Sequence, residues 1–67
     1  MEKGTVKSYD RSCGVGMISR ASEADVRFYS ENVIGKGRSD LTVGSTVVFE
    51  VERVSNMFLA LNVRKIV

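Results

Sequence analysis

The sequence contains no histidine, no proline, no tryptophan and a single cysteine, Cys13. With one thiol and no imidazole, no zinc set can be assembled and no internal disulfide can form, so neither staple common in very small domains is at hand. An apolar core must hold the fold. A missing imidazole also removes the ordinary base for a serine or cysteine nucleophile, so Ser8, Asp10 and Cys13 make no triad. With no paired carboxylates and no metal set, we expect neither an enzyme nor a cofactor. No apolar run approaches the length of a membrane span, and the charged opening "MEKGTVKS" lacks the apolar segment of a secretory signal. These absences predict a cytoplasmic protein with no membrane partner. Its 67 residues leave room for one domain, expected over 1–67. Ten lysines and arginines against eight acids give a formal charge of +2, which permits a nucleic-acid partner without requiring one.

What is present is a series of short apolar runs at period two, rich in β-branched and aromatic residues, with no sustained 3.6 period. Five strands are expected: "TVKSY" (5–9), "VGMIS" (15–19), "VRFY" (26–29), "TVVFEVERV" (46–54) and "FLALNVRKI" (58–66). Turn residues separate most of them, in "DRSCG", "RASEAD" and "RVSNM". Between the third and fourth lies the longer "SENVIGKGRSDLTVGS", whose scattered Val33, Ile34, Leu41 and Val43 predict a crossover that packs a few side chains rather than a helix. Five strands with a long third connection indicate an all-β protein, a five-stranded antiparallel barrel of the OB type, since closure removes the exposed edges of a flat sheet. Alternation then places Val6, Gly16, Ile18, Val26, Phe28, Val47, Phe49, Val51, Leu59, Leu61 and Val63 inside, and Val15, Met17, Arg27, Tyr29, Phe58, Ala60 and Asn62 outside.

The alternating glycines of "CGVGMIS" (13–19) do not make a phosphate loop. A Walker A needs Gly-Lys-Ser/Thr opening a helix, and a dinucleotide fingerprint needs a third glycine and a βαβ unit. An inward Gly16 instead thins a bent strand at a crowded barrel wall. At this point a resemblance emerges. "KGTVKSYDRSCGVGMIS" is similar, without a gap, to the opening of the bacterial cold-shock proteins, K-G-x-V-K-W-F-N-x-x-K-G-F-G-F-I. It continues with "DVRFYSENV" on D-V-F-V-H-F-S-A-I, with "GKGRSDLTVGSTVVFEV" on G-x-G-F-x-T-L-x-x-G-x-x-V-x-F-x-V, and with "ALNV" on A-x-N-V. The matched positions are those of core and turns, so they speak first for the fold.

The departures gather on one face. The family resemblance implies two motifs, RNP1 and RNP2, whose outward rings stack the bases of a single strand. Here Ser8 stands at the family's tryptophan, Val15 and Met17 at the RNP1 phenylalanines, and Arg27 and Tyr29 at the RNP2 phenylalanine and histidine. Ser30 and Arg38 replace the next two rings, and Phe58 stands where proline is usual. Stacking contributes about 1–3 kcal/mol per base, so a stripped platform implies weak binding. Arginine at 27 and 38 can still stack and attract the backbone, Lys7 matches the family's backbone-contacting lysine, and Asp25 matches a position associated with base contact.

The expected single-stranded RNA or DNA interface is therefore Lys7, Tyr9, Val15, Met17, Asp25, Arg27, Tyr29, Arg38 and Phe58, on a domain expected to be a monomer. Two bland readings stand beside it: Lys7, Arg27 and Arg38 as solvated charges, and Asp25 as a turn acceptor. The alternative function is a barrel whose stripped face, with Val15, Met17 and Phe58, docks a protein, perhaps within a longer chain.

Overall fold

The computed structural model describes residues 1–35 and 41–66. Five strands, β1 (Glu2–Asp10), β2 (Val15–Ser19), β3 (Val26–Tyr29), β4 (Thr46–Val54) and β5 (Met57–Lys65), close in the order β1-β2-β3-β5-β4. This is the expected five-stranded OB barrel. The middle three strands that the alternation pattern defines have the expected limits. β1 begins three residues earlier than expected because Glu2 to Gly4 pair with β4 while Thr5 to Asp10 pair with β2. Four of the five pairings are antiparallel as expected, but β3 and β5, expected antiparallel too, run parallel. The reason is arithmetic, since directions cannot alternate all the way round a ring with an odd number of strands.

Among the described residues the core consists of Val6, Ile18, Val26, Phe28, Val33, Leu41, Val47, Phe49, Ala60 and Val63, with Tyr9 and Val51 packed against it. The expected parity holds on β2, β3 and β4. It fails on β5, where Leu59 and Leu61 are half-buried on the outer face and Ala60 is fully buried. Inward residues at 60 and 63 are three apart, which an uninterrupted strand cannot provide. A bulge supplies the extra residue: the register slips between Val48 and Glu50, and Asn62 opposite it adopts φ 53°, a left-handed conformation that asparagine tolerates.

A second bulge lies in β1 between Val6 and Ser8 and leaves Lys7 as the extra residue. Lys7 and Ser8 are both exposed as a result, and Tyr9 turns inward against Phe28. Room for the rings comes from two glycines in the wall. A Cβ on Gly16 would sit 2.5 Å from Phe28 Cε1 and from the Ser8 carbonyl oxygen, and one on Gly4 would sit 2.6 Å from Ile18 Cγ2.

The connections are tied down by polar contacts. Arg20, with its side chain 8% exposed, pairs with Glu2 at 2.9 Å and Glu23 at 3.5 Å, and donates from Nε to the Ala24 carbonyl. The crossover starts with one turn of 3-10 helix (Ser30–Asn32), buries Val33 and Leu41, and rejoins β1 through Val6 N–H to Ser45 O and Gly44 N–H to Val6 O. Val43, by contrast, is exposed.

Replacing Phe49, a fully buried ring, with alanine should cost about 3–5 kcal/mol, comparable with the whole stability of so small a core. Urea denaturation of Phe49→Ala should therefore show little or no cooperative transition; a midpoint near the parent's would place Phe49 on the wrong face. Gly16→Ala should be comparably damaging, because the new methyl group meets backbone as well as a ring that the core holds in place.

Candidate nucleic-acid interface

Pairing across the sheet sets out the outer face. Ser8 on β1 pairs with Met17 on β2, Met17 with Arg27 on β3, Arg27 with Leu59 on β5, and Leu59 with Glu52 on β4. One step along, Asp10 pairs with Val15 and Val15 with Tyr29. Between these rows lies a groove of about 460 Å³, lined by Ser8, Tyr9, Asp10, Val15, Gly16, Met17 and Arg27. It occupies the place where the resemblance led us to expect a ring platform, and it exists because Ser8, Val15 and Met17 are narrower than rings.

Four of the expected site residues, Tyr9, Val15, Met17 and Arg27, come together around this groove, and Tyr29 borders it through Val15. Tyr9 serves two ends. Its ring packs at 5.2 Å between centroids on Phe28, while the Arg11 guanidinium stands 5.9 Å from its centroid and donates to the Leu41 carbonyl at 2.8 Å. Lys7 and Asp25 do not line the groove; they pair with each other at 2.8 Å. The hydrogen bond from Lys7 to Asp25, and then the attraction between the charges, raise the Lys7 pKa above 10.5.

Phe58 is exposed but does not share the groove's face. Its register opposite Arg53 puts it on the side of the β4–β5 ribbon that carries Ala60 and Val51, beyond the end of the barrel. The expectation that it joins Val15 and Met17 outside fails for the same reason as the β5 parity. Arg38 lies outside the described residues.

Sequence reasoning placed Ser8 on this face through the resemblance but missed Asp10 as a wall of the groove and Leu59 beside Arg27. The bulge at Lys7 reverses the parity of β1 beyond it, and no composition cue announces it. Asp10 also organises the following turn. Its Oδ1 accepts from the Ser12 hydroxyl at 2.6 Å, the Ser12 N–H at 3.0 Å and the Cys13 N–H at 3.3 Å. Those bonds, led by Ser12, hold the carboxyl below its ordinary 3.8. The Arg27 side chain, by contrast, makes no ion pair or hydrogen bond among the described residues.

The family model "'Cold-shock' DNA-binding domain" matches residues 2–66. The chain belongs to the cold-shock domain family. The cold shock protein CspC of Bacillus subtilis (strain 168) is 35% identical over 65 residues, covering 97% of this chain and 98% of that protein. Cold-shock domains are nucleic-acid-binding proteins rather than enzymes. Among the described residues of this cold-shock domain no cluster of histidine, cysteine and carboxylate could hold a metal, and no helix is long and apolar enough to cross a membrane.

A carboxyl depressed in the folded state stabilises the fold fully above its unfolded value, near 3.8, and loses that contribution as pH falls through the lower folded value. The acid limb of Tm against pH should therefore be shallower for Asp10→Asn than for the parent, with the two curves converging at the lowest pH. Parallel curves from pH 7 to 2 would mean that Asp10 does not hold the turn.

Proposed function

We propose that this cold-shock domain binds single-stranded RNA or DNA weakly, as a cytoplasmic monomer, mainly through attraction to the backbone. The observation that carries this reading is the composition of the outer face: a guanidinium at Arg27, without a partner among the described residues, stands on β3 where the family resemblance implies a ring, beside an apolar groove floored by Val15 and Met17. Stacking contributes about 1–3 kcal/mol per base, so a face with Tyr29 and the edge of Tyr9 in place of a full platform holds single strands loosely. Lys7 adds little to the field while Asp25 neutralises it.

A second reading, docking of a protein, is favoured by Val54, Met57 and Phe58, each 40–46% exposed at the β4–β5 tip. Salt separates the two. Each phosphate neutralised by a cation contributes a slope of about −0.7 to log K against log salt for single strands.

Anisotropy of labelled oligo-U and oligo-dT, titrated between about 50 and 200 mM salt, should give a clear negative slope that becomes shallower by about 0.7 in Arg27→Met. A salt-independent affinity would instead favour docking through the apolar tip. Restoring rings with the double change Val15→Phe and Met17→Phe should strengthen binding by about 1–3 kcal/mol per base newly stacked and leave the melting midpoint almost unmoved. Normal folding with unchanged affinity would show that the missing rings are not what limits binding.

A further inference from the structure

The groove offers more than an apolar floor. Asp10 and Arg27 stand on its two walls, one on β1 and one on β3, with β2 between them. Resting on the nucleic-acid reading above, we propose that this groove takes a guanine base of a single strand, with Arg27 donating to its O6 and N7 and Asp10 accepting from its N1–H and N2 amino group.

The argument starts from the carboxylate. An anion on a face that meets phosphates is repulsive unless it meets a base edge that donates. Asp10 can do so, because all three bonds of its turn fall on Oδ1 and Oδ2 takes none among the described residues. Two lone pairs remain there for two N–H donors. The turn also keeps the group ionised, and so accepting, at neutral pH. On the other wall Arg27 brings a planar fork of donors with no competing ion pair among the described residues.

Two strand spacings, about 10 Å, and a two-residue offset along the strands, about 7 Å, separate Asp10 from Arg27 at the backbone, since it is Ser8 that lies level with Arg27. A base lying between them must therefore be long, and must present paired acceptors at one edge and paired donors at the next. Guanine has both, in O6/N7 and N1–H/N2–H2, and in a single strand both edges are free. Adenine sets its N6 amino group against the Arg27 donors and its N1 acceptor against the Asp10 carboxylate. Uracil and thymine offer one N–H and no paired acceptor edge, and span less of the gap. The Met17 thioether and the Val15 side chain give the purine face an apolar, polarisable floor.

The test uses the whole chain and a labelled thymidine nonamer whose central base is guanine, adenine, cytosine, thymine, hypoxanthine or 7-deazaguanine, measured by anisotropy at one salt concentration. Central guanine should bind about ten-fold more tightly than central adenine. Hypoxanthine, which lacks the N2 amino group, and 7-deazaguanine, which lacks N7, should each lose most of that gain. Asp10→Asn keeps an oxygen for the Ser12 turn but puts an amide donor where Oδ2 stood, so it should abolish the distinction between guanine and hypoxanthine. Arg27→Met should abolish the distinction between guanine and 7-deazaguanine and preserve the other. The base analogues probe the unaltered protein, so the result survives even if a variant folds poorly. Equal affinity for all central bases, with binding intact, would overturn the guanine pocket and leave the nucleic-acid reading standing. A guanine preference untouched by both variants would also overturn it. No binding to any nonamer would overturn both.

Discussion

Two phenylalanine rings, Phe28 and Phe49, must fit inside a barrel only five strands around, and the wall yields to them at fixed points. Gly16 lies against the first ring, and an added Cβ on Gly4 would come within 3.2 Å of the second. A wall this tightly curved cannot be made of regular strands alone, so it bends at the Lys7 bulge in β1 and again at Asn62 in β5. With a single cysteine and no histidine in the sequence, the stability of the domain rests on how well those two rings are enclosed.

The same bends shape the outer face of β1 to β3. The β1 bulge turns Lys7 and Ser8 outward together and brings Tyr9 in against Phe28, so Tyr9 offers an edge to the groove rather than a free face. The β5 bulge directs Leu59 outward beside Arg27 and puts Phe58 on the other side of the ribbon. The face is thus a product of the closure as much as of the residues that occupy it. Its charges are also unequal: Lys7 is paired with Asp25, whereas the Arg27 guanidinium has no partner among the described residues.

A cold-shock domain with few rings on its outer face has exchanged stacking area for a recess with polar walls. Stacking accepts every base, because each has a π face, whereas a recess walled by a carboxylate and a guanidinium rewards only a base whose edges match. On the reading proposed above, loss of general affinity and gain of preference at one base are two effects of the same substitutions.

Period-two patterning by itself determined the five strands, the inward sets of β2, β3 and β4, and the role of Gly16, because in an uninterrupted strand alternation converts residue type directly into face. The motif spacing of "KGTVKSYDRSCGVGMIS" carried the family. Three things were decided only by the tertiary structure: which of Leu59, Ala60 and Leu61 faces the core, that Lys7 meets Asp25, and that Asp10 and Arg27 share a groove. The physical reason is common to all three. A bulge shifts parity by one residue without leaving a signature in composition, and side chains 17 or 18 positions apart meet only once the register between strands is set by closing the ring.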